Sequence, residues 1–280
     1  MMRSPIGNSA ALGSVASIAL CSVLAAGAFA QAPDSRHASV PDFSGYWTRA
    51  RPLPSTFLLP LDENLPGPVW DPQDHTPGGV LWVGDISNPI LKPHAAQAIA
   101  ERNEFILAGG EDLPPWSLCW PAGSPQVLNL REPVQILQDE NQVTILYQRD
   151  HQIRRVFMDA GYSKNLKPSW YGQSVGHYEG DTLVVTTISQ NTRTNVDKFG
   201  TPHSEKMRVV ERYTLDPDGN GLTAMAMVED PETFNMPWYA RATYSRDSGP
   251  IEEIICSENN KNASTGLDYP VPIAGGPADF

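Results

Sequence analysis

Basic residues are scarce in this chain. Lys and Arg number 20 against 32 Asp and Glu, a formal net charge of −12 over 280 residues. So acidic a surface repels polyanions, which excludes nucleic acid as a partner and gives no polybasic patch for anionic lipid. Cysteine is scarcer still, with three in all, too few for a thiolate zinc site. Catalytic and nucleotide-binding signatures are missing as well. There is no G-x-S-x-G elbow, no P-loop, no G-x-G-x-x-G after a strand and no H-E-x-x-H. The expectation is therefore no cofactor and no metal.

One apolar run stands out, from about residue 10 to residue 27. It is Gly- and Ser-rich and short of the ~20 apolar residues that span a bilayer. Arg3 precedes it and Ala28-Phe29-Ala30 follows it, before the polar Gln31. That is the charged start, apolar centre and small-residue cleavage site of a secretory signal peptide. Residues 1–30 are read as that signal, and the mature protein as periplasmic or secreted, without stable membrane insertion. Cys21 follows Leu20, where a lipoprotein signal needs a small residue, so no lipid anchor is expected. Cys119 and Cys256 remain in an oxidising compartment, as a disulfide or as two buried thiols.

The mature chain divides by texture. Residues 31–125 hold an N-terminal strand, a Pro-rich wrap with the loop DPQDHTPGG (71–79), and a helix over 93–108. Pro93 suits the first helical turn, and Gly109 suits the stop. From residue 126 to 260 the pattern becomes β, with strands expected at 134–138, 143–148, 152–158, 175–178, 182–188, 207–215, 222–229, 238–244 and 251–256. The connections DEN, EGD and DPDGNG carry hairpin-turn residues. Strands joined by tight turns, with no helix between them, make an antiparallel meander. Residues 261–280 read as a tail.

Upstream, DFSGYWT (42–48) contains Gly45-Tyr46-Trp47, which resembles the G-x-W signature of the first lipocalin strand, where the tryptophan plugs the closed end of the barrel. The resemblance implies an all-β, lipocalin-like barrel whose N-terminal strand closes the ring; a β-sandwich is the alternative. A second resemblance is broader. HQIRRVFMD (151–159), QSVGHYEGDTLVV (173–185), TPHS (201–204) and EDP (229–231) are similar to a set of secreted, β-rich bacterial proteins. Those carry H-x-x-R-R-x-x-M-D, W-E-G-D-T-L-V-V, T-x-H-S and E-D-P, and the resemblance implies no particular activity. The chain departs from that pattern at AGYSKNLKP (160–168), at Tyr178 in place of the family tryptophan, and at SQNTRTNVD (189–197). Connecting segments of this kind set ligand specificity.

The candidate site follows from strand alternation. Adjacent arginines on one strand point to opposite faces, so either Arg154 or Arg155 is inward. Ile153 and Phe157 share the face of Arg155, whereas Arg154 shares a face with Gln152, and Arg155 is taken as the inward one. Glu211 is flanked by Val209 and Tyr213 on its own face, so it is an inward carboxylate needing a cationic partner. Arg155 is the partner expected. Arg241 is a second inward candidate, or a residue stacked on Trp47. Tyr213 and Tyr178 join these as ligand-binding residues. His151, His177 and His203 fall at strand ends, where they could converge at one mouth. There His151 and His203, with Asp159 or Asp230, would supply acid-base chemistry. Two functions remain open. One is a cofactor-independent lyase, isomerase or hydrolase acting on a small, partly apolar, oxygenated molecule, favoured by the recurrence of histidines and acids at strand ends. The other is a lipocalin-like carrier of such a molecule.

Overall fold

A computed structural model describes residues 40–50, 58–60, 66–69, 83–110 and 114–256. The signal segment 1–30, the loop 71–79 and the tail 261–280 lie outside the described residues. The strands are β1 (Gly45–Arg49), β2 (Leu59–Pro60), β3 (Val134–Gln138), β4 (Gln142–Tyr147), β5 (Gln152–Met158), β6 (Gln173–Glu179), β7 (Thr182–Ile188), β8 (Arg208–Leu215), β9 (Gly221–Glu229) and β10 (Trp238–Asp247); the helix is α1 (Pro93–Leu107). Strands β3 to β10 pair in chain order, and β1 closes the ring by pairing with both β3 and β10. Nine strands thus form a closed barrel, with β2 alongside β10 at Ala240 and Arg241. Closure pairs the edge strands, whose open groups would otherwise template aggregation.

The barrel follows from period-two patterning. In β9, Leu222, Ala224, Ala226 and Val228 are buried while the residues between them are partly exposed, and β4 and β10 alternate likewise. Three hairpins lie at one end, here the turn end. Asp139 accepts from the amides of Asn141 and Gln142, while Gly180 and Gly219 take the positive φ that the other two turns require. Trp47 is fully buried, donates through Nε1 to the Phe43 carbonyl at 2.9 Å, and carries a guanidinium 4.3 Å above its ring. That guanidinium belongs to Arg246, not to Arg241, which is exposed on the outer face.

Two expectations about strands are corrected. The pair β5–β6 is parallel, with Val156 opposite Ser174 and Met158 opposite Gly176. The linker 159–172 is too long for a hairpin and returns to the start of β5 before β6 begins. It is pinned by Tyr162, whose hydroxyl donates to the Thr186 carbonyl, and by the Ser163 amide on Gln173 Oε1. At its end Gly172 has φ +58°, and a Cβ there would lie 2.0 Å from the Ile188 carbonyl oxygen. Segment 251–256 is not a strand. It makes one bridge, Arg149 to Ile254, because β1 already occupies the edge of β10 that a further strand would need. It is held instead by the Cys119–Cys256 disulfide, with Cα atoms 5.5 Å apart. No helix among the described residues is long and apolar enough to cross a membrane.

Candidate functional site

Away from the turn end, at the loop end, the barrel interior becomes polar. Arg154 is 1% exposed and Glu211 0%. Arg154 Nη1 donates to Glu211 Oε1 at 3.0 Å, and Nη2 donates to Glu211 Oε2. Nη2 also reaches Thr187 Oγ1 at 2.7 Å, and Nε reaches Ser174 Oγ at 3.1 Å. Tyr213 donates its hydroxyl to Glu211 Oε1 at 3.2 Å. Burial by itself would lower the arginine pKa, but Glu211 more than offsets this and holds the guanidinium charged.

The inward arginine is therefore Arg154, and Arg155 is exposed, the reverse of the expectation. The register explains it. Arg154 lies opposite Ile145 in β4, and Val156 and Met158 on its own face are buried, while Ile153 and Phe157 are exposed. The outer face of β5 is thus the one carrying the large apolar residues that suggested an interior.

The β9 and β10 wall beside the ion pair is low. Ala226 is the register partner of both Glu211 and Ala240, and Ala224 that of both Tyr213 and Ala242. All four alanines are buried. Across from them stands Tyr147, its ring stacked on Tyr171 at 5.9 Å and 6°. Burial pushes the Tyr147 hydroxyl well up, so it stays protonated. It lies in the field of Arg154 without reaching hydrogen-bond geometry.

Over the loop end runs segment 121–130, which is buried from residue 122 onward. Ser124 is clamped by Gln190, which accepts from its amide at 2.7 Å and donates to its carbonyl at 2.8 Å. A short 3₁₀ helix, Gln126–Asn129, follows, and Tyr244, from the inner face of β10, donates to the Leu128 carbonyl at 3.0 Å. Residues three apart eclipse on a 3₁₀ helix, so Gln126 and Asn129 share a face. Both amide atoms of Gln126, the Asn129 Oδ1 and the Ser124 Oγ are buried without a hydrogen-bond partner.

The other sequence candidates are dispersed. His203, in the β7–β8 loop, is buried between Thr194 Oγ1 at 2.8 Å from Nε2 and the Ser204 carbonyl at 2.9 Å from Nδ1. A carbonyl only accepts, so Nδ1 carries the proton and Nε2 accepts from Thr194, leaving neither nitrogen open. Burial lowers the His203 pKa. Asp230 accepts from the Ser204 amide and hydroxyl, the Thr233 hydroxyl and the Glu232 amide. Burial would raise it, but these bonds prevail and hold it low; it organises its turn. His151 is exposed before β5 and Asp159 exposed after it, at opposite ends of one strand. His177 sits toward the turn end against Glu179 at 3.0 Å, because β6 runs parallel to β5. The three histidines do not converge. Tyr178 is half-buried near the turn end, with its hydroxyl unpaired.

Sequence reasoning missed Arg154, Tyr147, Gln126 and Asn129. Alternation of Val143, Ile145 and Tyr147 in β4 marked the inner face of its hairpin partner, which was the available signal for Arg154. Nothing local marks Gln126 or Asn129. On the outer rim of the loop end lies an open groove of about 630 Å³, lined by Lys92, Arg208, Glu229 and Phe234 among others; Arg208 and Glu229 pair within it. No group of three or more metal-ligating side chains occurs among the described residues.

No protein-family model matches the chain, and no curated protein matches it in sequence.

Proposed function

We propose that the protein is an extracytoplasmic binding protein for a small, partly apolar, oxygenated molecule, taken up in the loop-end half of the barrel. One observation carries this reading: Gln126, Asn129, Ser124 and Tyr147 bury hydrogen-bonding atoms with no protein partner. More than nine in ten buried polar groups in folded proteins are partnered, and an unmet amide costs about 1–3 kcal/mol. Several such atoms gathered at the loop end, beside the alanine wall of β9 and β10, match the few convergent polar groups of a ligand site. The disulfide and the signal-like segment support a location outside the cytoplasm. The carrier reading is preferred to the enzyme because His203 and Asp230 have their bonding positions filled and His151 and Asp159 lie apart.

Native mass spectrometry of the protein isolated from its own secreted fraction, without organic solvent, tests the proposal. The expected result is a discrete mass above that of the chain, removed by extraction with warm alcohol. The bare chain mass before and after extraction would overturn it.

A further inference from the structure

Resting on that binding reading, we infer that the ligand is electrically neutral and presents a hydroxyl or a hydroxyl-carbonyl pair to Gln126 and Asn129. The central pair of charges, Arg154 and Glu211, is already closed. Arg154 spends four N–H bonds on Glu211, Thr187 and Ser174, and Glu211 receives Tyr213 as well. A further net charge beside that pair would find both of its ions already bonded, and burying an unpaired ion is the most expensive step available.

The unmet atoms of Ser124, Gln126, Asn129 and Tyr147 are neutral and of both kinds; Glu132 and Arg149, which also bury an unmet atom each, pair with one another, and Asp150 accepts from the Cys256 amide. Gln126 Nε2, the Ser124 hydroxyl and the Tyr147 hydroxyl donate, while Gln126 Oε1 and Asn129 Oδ1 accept. A ligand oxygen that both donates and accepts satisfies this set; a carboxylate accepts only and leaves Gln126 Oε1 and Asn129 Oδ1 bare. An ammonium donates only and leaves the hydroxyls and Gln126 Nε2 without an acceptor. The apolar body is accommodated on the alanine side, where Ala226 and Ala240 lie level with Glu211. Cations do occur at this end. Arg49 lies 5.4 Å from the Tyr244 ring centre, and Lys198 is brought down to about 8 by burial and by its neighbours Arg131 and Arg49. Both Arg49 and Lys198 are engaged by other groups, which makes an anionic ligand the competing outcome and not the favoured one.

The test uses three probes with one ten-carbon body and different heads: 1-decanol, decanoate and decylammonium. Binding to the alcohol-extracted full chain at pH 7 is measured by calorimetry. Decanol is expected to bind on the order of tenfold more tightly than either ion. Gln126→Leu is expected to weaken decanol about tenfold, the loss of one buried hydrogen bond, with an unchanged near-ultraviolet circular dichroism spectrum. Decanoate binding more tightly than decanol would overturn neutrality while leaving the binding reading intact, and would move the head group to Arg49 and Lys198. Equal binding of all three, indifferent to Gln126→Leu, would overturn the assigned head-group site. Failure of every probe to bind would count against the binding reading itself. The comparison of heads on the unaltered protein stands even where the variant fails to fold.

Discussion

Arg154 and Arg155 differ by one position and by their whole environment. Removing Arg154 strands a carboxylate that is 0% exposed, so Arg154→Ala is expected to destabilise the fold by about 3–5 kcal/mol. Arg155→Ala, on the exposed face, should stay within about 0.5 kcal/mol. The double change Arg154→Met with Glu211→Leu should recover most of the loss, because neither charge is left behind. Urea unfolding of the three variants measures this. Glu211 was legible in the sequence because apolar residues flank it on both sides. Its partner was not, because Ile153 and Phe157 are exposed at 48% and 39% and apolar residues outside a barrel imitate an interior face.

His203 makes a second prediction at the residue scale. Its folded pKa lies below the ordinary 6.5, so the unfolded chain binds the proton first as pH falls. The stability contributed by the neutral ring is complete above about 6.5 and is lost as pH drops toward the lowered folded value. Asp230 acts in the same direction further down, contributing above its ordinary 3.8 and losing that contribution below it. The thermal midpoint should fall between pH 7.5 and 5.5, and fall less steeply in His203→Gln.

Among elements, the strands of the hairpins were the most readable. Their turn residues fix loop length and the alternating burial fixes the face; 134–138, 152–158 and 182–188 are strands over the bounds expected from sequence. What was not readable was direction in β6 and the role of segment 251–256, since both are settled by contacts between distant parts of the chain. Gly172 shows the local cost of the parallel return. With φ +58° and the Ile188 carbonyl where a Cβ would stand, Gly172→Ala is expected to lower stability by at least about 1–2 kcal/mol, read as a drop in the thermal midpoint. Gly161, in the exposed part of the same linker with nothing near its Cβ position, should accept alanine without loss. The disulfide closes a separation of 137 residues, so its reduction should cost about 4–5 kcal/mol on chain-entropy grounds. Alkylation under denaturing, non-reducing conditions should label neither cysteine.

At the scale of the molecule, the barrel sorts chemistry along its axis. The turn end holds the buried Trp47 with Arg246 over its ring. The loop end holds the Arg154–Glu211 pair beneath a buried segment with unmet hydrogen-bonding atoms. The closed β architecture was legible from alternation and G-x-W. The location of the candidate site was only half legible, because a polar residue such as Gln126 in an apolar segment looks, in sequence, like any surface glutamine. Gln126 meets either a ligand or only water. A crystal structure of the protein isolated with its natural contents, at a resolution that separates waters from a continuous group, decides this most directly. Continuous, multi-atom density is expected within hydrogen-bond distance of the Gln126 amide and Asn129 Oδ1, extending toward Ala226 and Ala240. Separate ordered waters bonded to Gln126 and Asn129, with no other density in the barrel, would contradict it.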